Sequence, residues 1–84
     1  MRGGMSEAKL AEVFRASLGV GPAEFSDVLG PYLVPAWDSI GQMALVAELE
    51  RAFEVVLEVD DILALINVAA AREILIRLGV EFGN

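Results

Sequence analysis

The run Trp37-Asp38-Ser39-Ile40-Gly41-Gln42 holds the residues best placed to do chemistry in this chain. Ser39 offers a hydroxyl at the start of a segment with helical spacing, where backbone N–H groups have no partner and the helix dipole favours an anion. The chemistry that such a position supports is attachment of a phosphate-linked group. Two local arrangements fit the same residues. In one, Ser39-Ile40-Gly41-Gln42 is an S-x-x-Q capping box, and serine and glutamine satisfy each other's backbone donors. In the other, Asp38 is the cap and Ser39 is the first helical residue, with its hydroxyl free. Gly41 keeps the approach to Ser39 open. The chain has no histidine and no cysteine. It therefore lacks the commonest general base, the commonest metal ligand and any thiolate nucleophile. No catalytic residue and no metal ligand is expected, and the composition argues against a self-sufficient hydrolase or zinc enzyme.

The elements that must position Ser39 follow from periodicity. Residues 6–18 read as a helix capped by Ser6, with Leu10, Val13, Phe14 and Leu18 on one stripe and Gly19 and Gly21 ending it. Residues 19–38 hold all three prolines, Pro22, Pro31 and Pro35, and read as a long connection with at most a short helical turn at 23–29. A second helix is expected from about Ser39 to Phe53. Its core face is read as Ile40, Met43, Val46, Leu49 and Phe53, and its outer face mainly as Gln42, Ala44, Ala47, Glu50 and Arg51. Residues 54–59 alternate like a strand but have no strand to pair with, so they read as an extended link. Asp60 or Asp61 can cap a short helix over 62–66. Asn67 can cap a last helix over 68–78, with Val68, Ala71, Ile74, Leu75 and Leu78 inward and Gly79 at its end. The expected fold is all-α: a small four-helix bundle of three longer helices and one short one. Its core is expected to include Phe14, Ile40, Val46, Leu49, Phe53, Ile62 and Ile74. One domain over 6–79 is expected, with a flexible lead at 1–5, in which Met5 is an alternative start, and a tail at 80–84.

The 84 residues are 56% hydrophobic, enough for one small core and too apolar for disorder. Thirteen acidic against six basic residues give a net charge of −7. That field repels phosphate backbones and steers the chain towards basic protein surfaces, so nucleic acid is a poor partner. No apolar run reaches the roughly 18 residues of a membrane span, and the first residues lack an apolar signal core. A cytoplasmic monomer is expected.

These features together resemble the acyl carrier proteins of the phosphopantetheine-binding family. The likeness is carried by Asp38-Ser39-Ile40, which matches the family's Asp-Ser-Leu/Ile signature. Met43, Val46, Leu49 and Phe53 match the spacing of the following helix, and Asn67-Val68 matches the start of the fourth. The resemblance covers roughly residues 6–78. It implies that a phosphopantetheinyl transferase attaches 4'-phosphopantetheine from coenzyme A to Ser39, with Asp38 and Ile40 as signature flanks. The arm's thiol would carry acyl, aminoacyl or peptidyl groups as thioesters, so the product is a phosphoprotein that needs no cysteine of its own. Partners would be the transferase, a loading ligase and a downstream synthase or transferase of fatty acid, polyketide or other secondary-metabolite biosynthesis. The partner face would be the second helix, at Ala44, Ala47, Glu48, Glu50 and Arg51. Fatty-acid carriers are often acidic there, so Ala44, Ala47 and Arg51 speak against a general fatty-acid carrier, while Trp37-Asp38-Ser39 after a long proline-rich loop resembles specialised stand-alone carriers, including carriers of amino acids. In that family an acyl chain can slip between the second and third helices, and a cavity of that kind, if one opens here, would be lined by Val46, Leu57, Ile62 and Leu65. The alternatives are an aminoacyl or peptidyl carrier of a nonribosomal-type pathway, or an unmodified helical interaction module on the same fold.

Two further signals read as structural. Trp37 is expected to pack against the loop and the entrance of the second helix, like a hydrophobic staple. The acidic set Glu48, Glu50, Glu54, Glu58, Asp60 and Asp61 lacks the alternating oxygen ligands and glycine of a calcium loop. It reads as a solvated face suited to basic enzyme surfaces.

Overall fold

A computed structural model describes residues 2–83 of the chain. It contains four helices, α1 (Arg2–Leu18), α2 (Ser39–Phe53), α3 (Val59–Leu63) and α4 (Val68–Arg77), and no strand among the described residues. This is the expected small helical bundle.

α1 packs along α2, and its stripe of Leu10, Val13, Phe14 and Leu18 is buried as the spacing predicts. The helix begins at Arg2 rather than at Ser6. Met1 lies outside the described residues. Ser6 is not a cap: its hydroxyl donates to the Glu81 carbonyl and ties α1 to the C-terminal segment. Residues 80–83 are likewise no free tail. The Val80 N–H donates to Leu75 O (2.9 Å), and Phe82 packs on Phe53 with ring centroids 6.1 Å apart. The physical reason is apolar surface, because Val80 and Phe82 are packed against the core. Asn84 lies outside the described residues.

In α2 the buried residues are Gly41, Leu45, Val46 and Leu49. Two expected core residues are corrected: Ile40 is 81% exposed and Met43 57%. The cause is angular drift. Each step of three residues falls about 60° short of a full turn, so the three steps from position 40 to 49 carry Ile40 about 180° away from Leu49. Leu45, absent from the expected stripe, is wholly buried instead. Phe53 and Ile62 are only partly buried, while Phe14, Val46, Leu49 and Ile74 hold their expected core places.

Glu54 ends α2 with φ 55°, a left-handed cap on a residue that is not glycine, and its N–H bonds Glu50 O. The link then runs extended over 55–58. α3 starts earlier than expected, at Val59, because Asp61 accepts the Glu58 N–H (2.9 Å) and so fixes the first turn. Asp61 is buried and pairs with Arg77 of α4. α4 is capped by Asn67, whose Oδ1 accepts the Ala70 N–H (2.7 Å), and it buries Val68, Ala71, Ile74 and Leu75 as expected. Leu78 is only partly buried, just past the helix end. Gly19 (φ 72°) and Gly79 (φ 102°) take the left-handed conformations that follow α1 and α4.

The connection 19–38 forms isolated turns rather than a helix at 23–29. Val20, Leu29, Val34 and Trp37 anchor it in the core. It also completes α4: Val68 N–H donates to Leu29 O (3.0 Å) and Ala69 N–H to Asp27 O (3.1 Å), so loop carbonyls take up donors that a helix start leaves open. These anchors and bonds fix the course of the long loop, which delivers Trp37 and Asp38 to the head of α2.

Candidate functional site

Asp38 has extended backbone angles and its Oδ1 accepts the Gly41 N–H (2.8 Å). The carboxylate is the cap, and Ser39 is the first residue of α2. The S-x-x-Q capping box does not form. The Ser39 side chain is exposed, and its hydroxyl has no hydrogen-bond partner among the described residues. The N–H groups of Ser39 and Ile40 likewise have none, so they point open donors out of the helix start. Ser6, Ser17 and Ser26 have different settings. Ser6 bonds Glu81 O and Ser17 bonds Val13 O (2.7 Å), both from inside α1, and Ser26 lies in a loop turn.

The space that Gly41 leaves free is taken up by the loop rather than by an approach to Ser39. A β-carbon at position 41 would sit 1.9 Å from the Ala36 carbonyl oxygen and 3.0 Å from Leu18 Cδ2. The missing side chain is what lets the loop backbone lie against α2 and place the Asp38 cap.

Gln42 differs most from its expected outward place. Trp37 Nε1–H donates to Gln42 Oε1 (2.6 Å), and Gln42 Nε2 donates to Ile62 O (2.9 Å), with a longer reach to Leu65 O (3.5 Å). The orientation of the amide is fixed by chemistry, since an indole N–H only donates and backbone carbonyls only accept. Trp37 is buried, but the ring it meets edge-on, at 5.5 Å, is Phe14 of α1, a partner beyond the loop and the α2 entrance that were expected. The sequence signal for Gln42 was its helical offset from Ser39, but the partners across the fold were invisible.

A shallow groove of about 370 Å³ lies beside Ser39, bounded by Pro31, Asp38, Gln42, Ile62, Leu63 and Ile66, with Trp37 and Leu65 below. Of the residues expected to line an acyl cavity, Ile62 and Leu65 border this groove. Val46, Leu57 and Leu65 are buried in the core, and Val46 and Leu57 do not border the groove.

On the expected partner face, Ala47 and Arg51 are exposed and Ala44 and Glu48 are half-buried. Arg51 Nη2 donates to Glu48 Oε1 (2.6 Å), and that bond raises the guanidinium pKa above its ordinary value. Glu50 is turned away, accepting the Leu57 N–H (2.9 Å) at Oε2. The acidic set is thus only partly a solvated face: Asp61 is buried and Glu50 is engaged with the link, because both cap backbone donors. No group of three or more acidic residues able to hold a metal occurs among the described residues. No helix among them is long and apolar enough to cross a membrane. Comparison with protein families, curated proteins and solved structures finds no match to this chain.

Proposed function

We propose that this chain is a carrier protein that receives 4'-phosphopantetheine on Ser39 and presents cargo to partner enzymes. The observation that carries the reading is the free, exposed Ser39 hydroxyl at the first position of α2, with the cap duty taken by Asp38. A phosphodiester fits there. The open N–H groups of Ser39 and Ile40 and the positive end of a 15-residue helix favour its charge. The adjacent groove, with the apolar side chains of Ile62, Leu63 and Ile66 on one wall, gives the arm a surface to lie on. The bound arm supplies a thiol that carries an acyl or aminoacyl group as a thioester. The chain's own residues only hold and orient the attachment point: Asp38 fixes the helix start and Gly41 admits the loop. The base that takes the hydroxyl proton and the magnesium ion belong to the transferase, in keeping with a chain that has no histidine.

The partners in this reading are a phosphopantetheinyl transferase, a loading ligase and a downstream synthase or transferase, in the cytoplasm. Cargo of a fatty-acid, polyketide or nonribosomal-type pathway is compatible with the site. A second reading, an unmodified interaction module, is favoured by the exposed apolar side chains of Ile40, Met43, Leu63 and Ile66 around Ser39. Intact-mass analysis after incubation with coenzyme A and a broad-specificity transferase separates the two. The mass should rise by one phosphopantetheine, and Ser39→Ala should abolish the rise while the protein stays helical. An unchanged mass for the parent, or a rise in Ser39→Ala, refutes the carrier reading.

A further inference from the structure

Ser39, Gln42, Val46 and Leu49 follow one another at three- and four-residue steps, so they form a single line down α2. A flexible chain attached at Ser39 and heading for the seam between α2 and α3 must pass Gln42 first. That position is occupied by a two-sided bridge. Its oxygen is held by the Trp37 indole (2.6 Å), and its nitrogen is held by the Ile62 carbonyl (2.9 Å) at the α3 side of the seam. Further down that line Val46 and Leu49 are at most 4% exposed, and Leu57 and Leu65, on either side of α3 in sequence, at most 6%, so the space beyond the bridge is bounded by side chains already buried in the core.

α3 has five residues, too few to be a stable helix by itself. Its place depends on what ties it down. The Asp61–Arg77 pair fixes it to α4, and the Gln42 amide fixes its end to α2 beside Ser39. Entry of an alkyl chain would have to break the bond from Gln42 to the Ile62 carbonyl and leave that part-buried carbonyl unpaired, a penalty that apolar contact must first overcome.

We propose that Gln42 is a specificity-determining residue that closes the α2–α3 seam, so that cargo attached through Ser39 stays in the open groove and is not drawn into the core. For the cargo class this rests on the carrier reading above. It selects short or polar acyl groups, including aminoacyl groups, which gain little from burial, over long alkyl chains, which need a hydrophobic interior to be shielded from water.

The test needs no transferase, so it stands apart from the carrier reading. The chain has no cysteine, and Ser39→Cys therefore introduces one unique thiol that a decyl methanethiosulfonate converts to a decyl disulfide. The ten carbons of the decyl chain reach about 12 Å, enough to pass the roughly 10 Å of helix rise between positions 39 and 46. With Gln42 intact, NMR cross-peaks from the decyl chain should fall on Ile62, Leu63 and Ile66. In Ser39→Cys/Gln42→Ala they should shift to Val46, Leu49 and Leu57, and amide exchange at Ala64 and Leu65 should rise about tenfold. Gln42→Glu is the second variant. It keeps the size and the acceptor for Trp37 but cannot donate to the Ile62 carbonyl, so it should show the same shift if Gln42→Ala does not fold. Cross-peaks to Val46 and Leu49 with Gln42 intact overturn the inference. A decyl chain that stays in the groove of the folded Gln42 variants overturns it as well. Failure of enzymatic modification at Ser39 would instead overturn the carrier reading and leave the closed seam standing.

Discussion

Replacing Gly41 with alanine sets two opposed effects against each other. In an exposed helix interior the change gains about 1 kcal/mol of helix propensity. At this site the new β-carbon would lie 1.9 Å from the Ala36 carbonyl oxygen. Ordinary contact needs about 3.5 Å, and the obstacle is backbone, so no rotamer change relieves it. The loop must move away from α2. Overpacking of this kind costs about 1–3 kcal/mol. The movement also withdraws Asp38 from the Gly41 N–H, and loss of such a cap costs about 1 kcal/mol. The net expectation is a loss of about 2 kcal/mol, since the clash and the cap together outweigh the propensity gain. For a domain of this size that lowers the melting temperature by about 8–16 °C. Thermal unfolding followed by far-ultraviolet circular dichroism reads it directly. A Gly41→Ala protein that melts at or above the parent would refute the close approach of the loop to α2, and with it the account of how Asp38 is placed.

Leu45→Ala should cost about 2–5 kcal/mol, while Ile40→Ala and Met43→Ala should each stay within about 0.5 kcal/mol. Urea midpoints test the set, and a large loss at Ile40 would mean that the register of α2 is rotated. Arg77→Ala removes the partner of buried Asp61 and should cost about 1–2 kcal/mol, more than its exposure alone suggests, because a carboxylate is left under-satisfied. A double-mutant cycle with Asp61→Asn isolates the pair, and zero coupling would refute it. If the carrier proposal holds, Arg51→Glu frees Glu48 of its cation and makes the outer face of α2 acidic. Loading by an enzyme with a basic docking surface should then become faster and more salt-sensitive, and equal rates for both proteins at low salt would place docking elsewhere.

The sequence by itself determined what depends on local pattern. The count of helices, most of the stripes of α1 and α4, the Asn67 cap and the start of α2 at Ser39 could all be read from spacing, because 3.6-residue periodicity and capping act within a few residues. The missing histidine and cysteine narrowed the chemistry before any fold was known. Tertiary structure decided what two distant segments settle together. Ile40 and Leu45 are both apolar, and only the packing of α2 on α1 chose which is buried. Ser39 and Asp38 could each cap α2, and the loop anchored by Trp37 and admitted by Gly41 chose Asp38. Asp61 became a buried partner because Arg77 reaches it from another helix. Gln42 shows the limit most plainly. Its type and helical offset were visible, but its bonds run to Trp37 on one side and to Ile62 on the other, and a carbonyl twenty residues away in sequence carries no mark of the amide that will meet it.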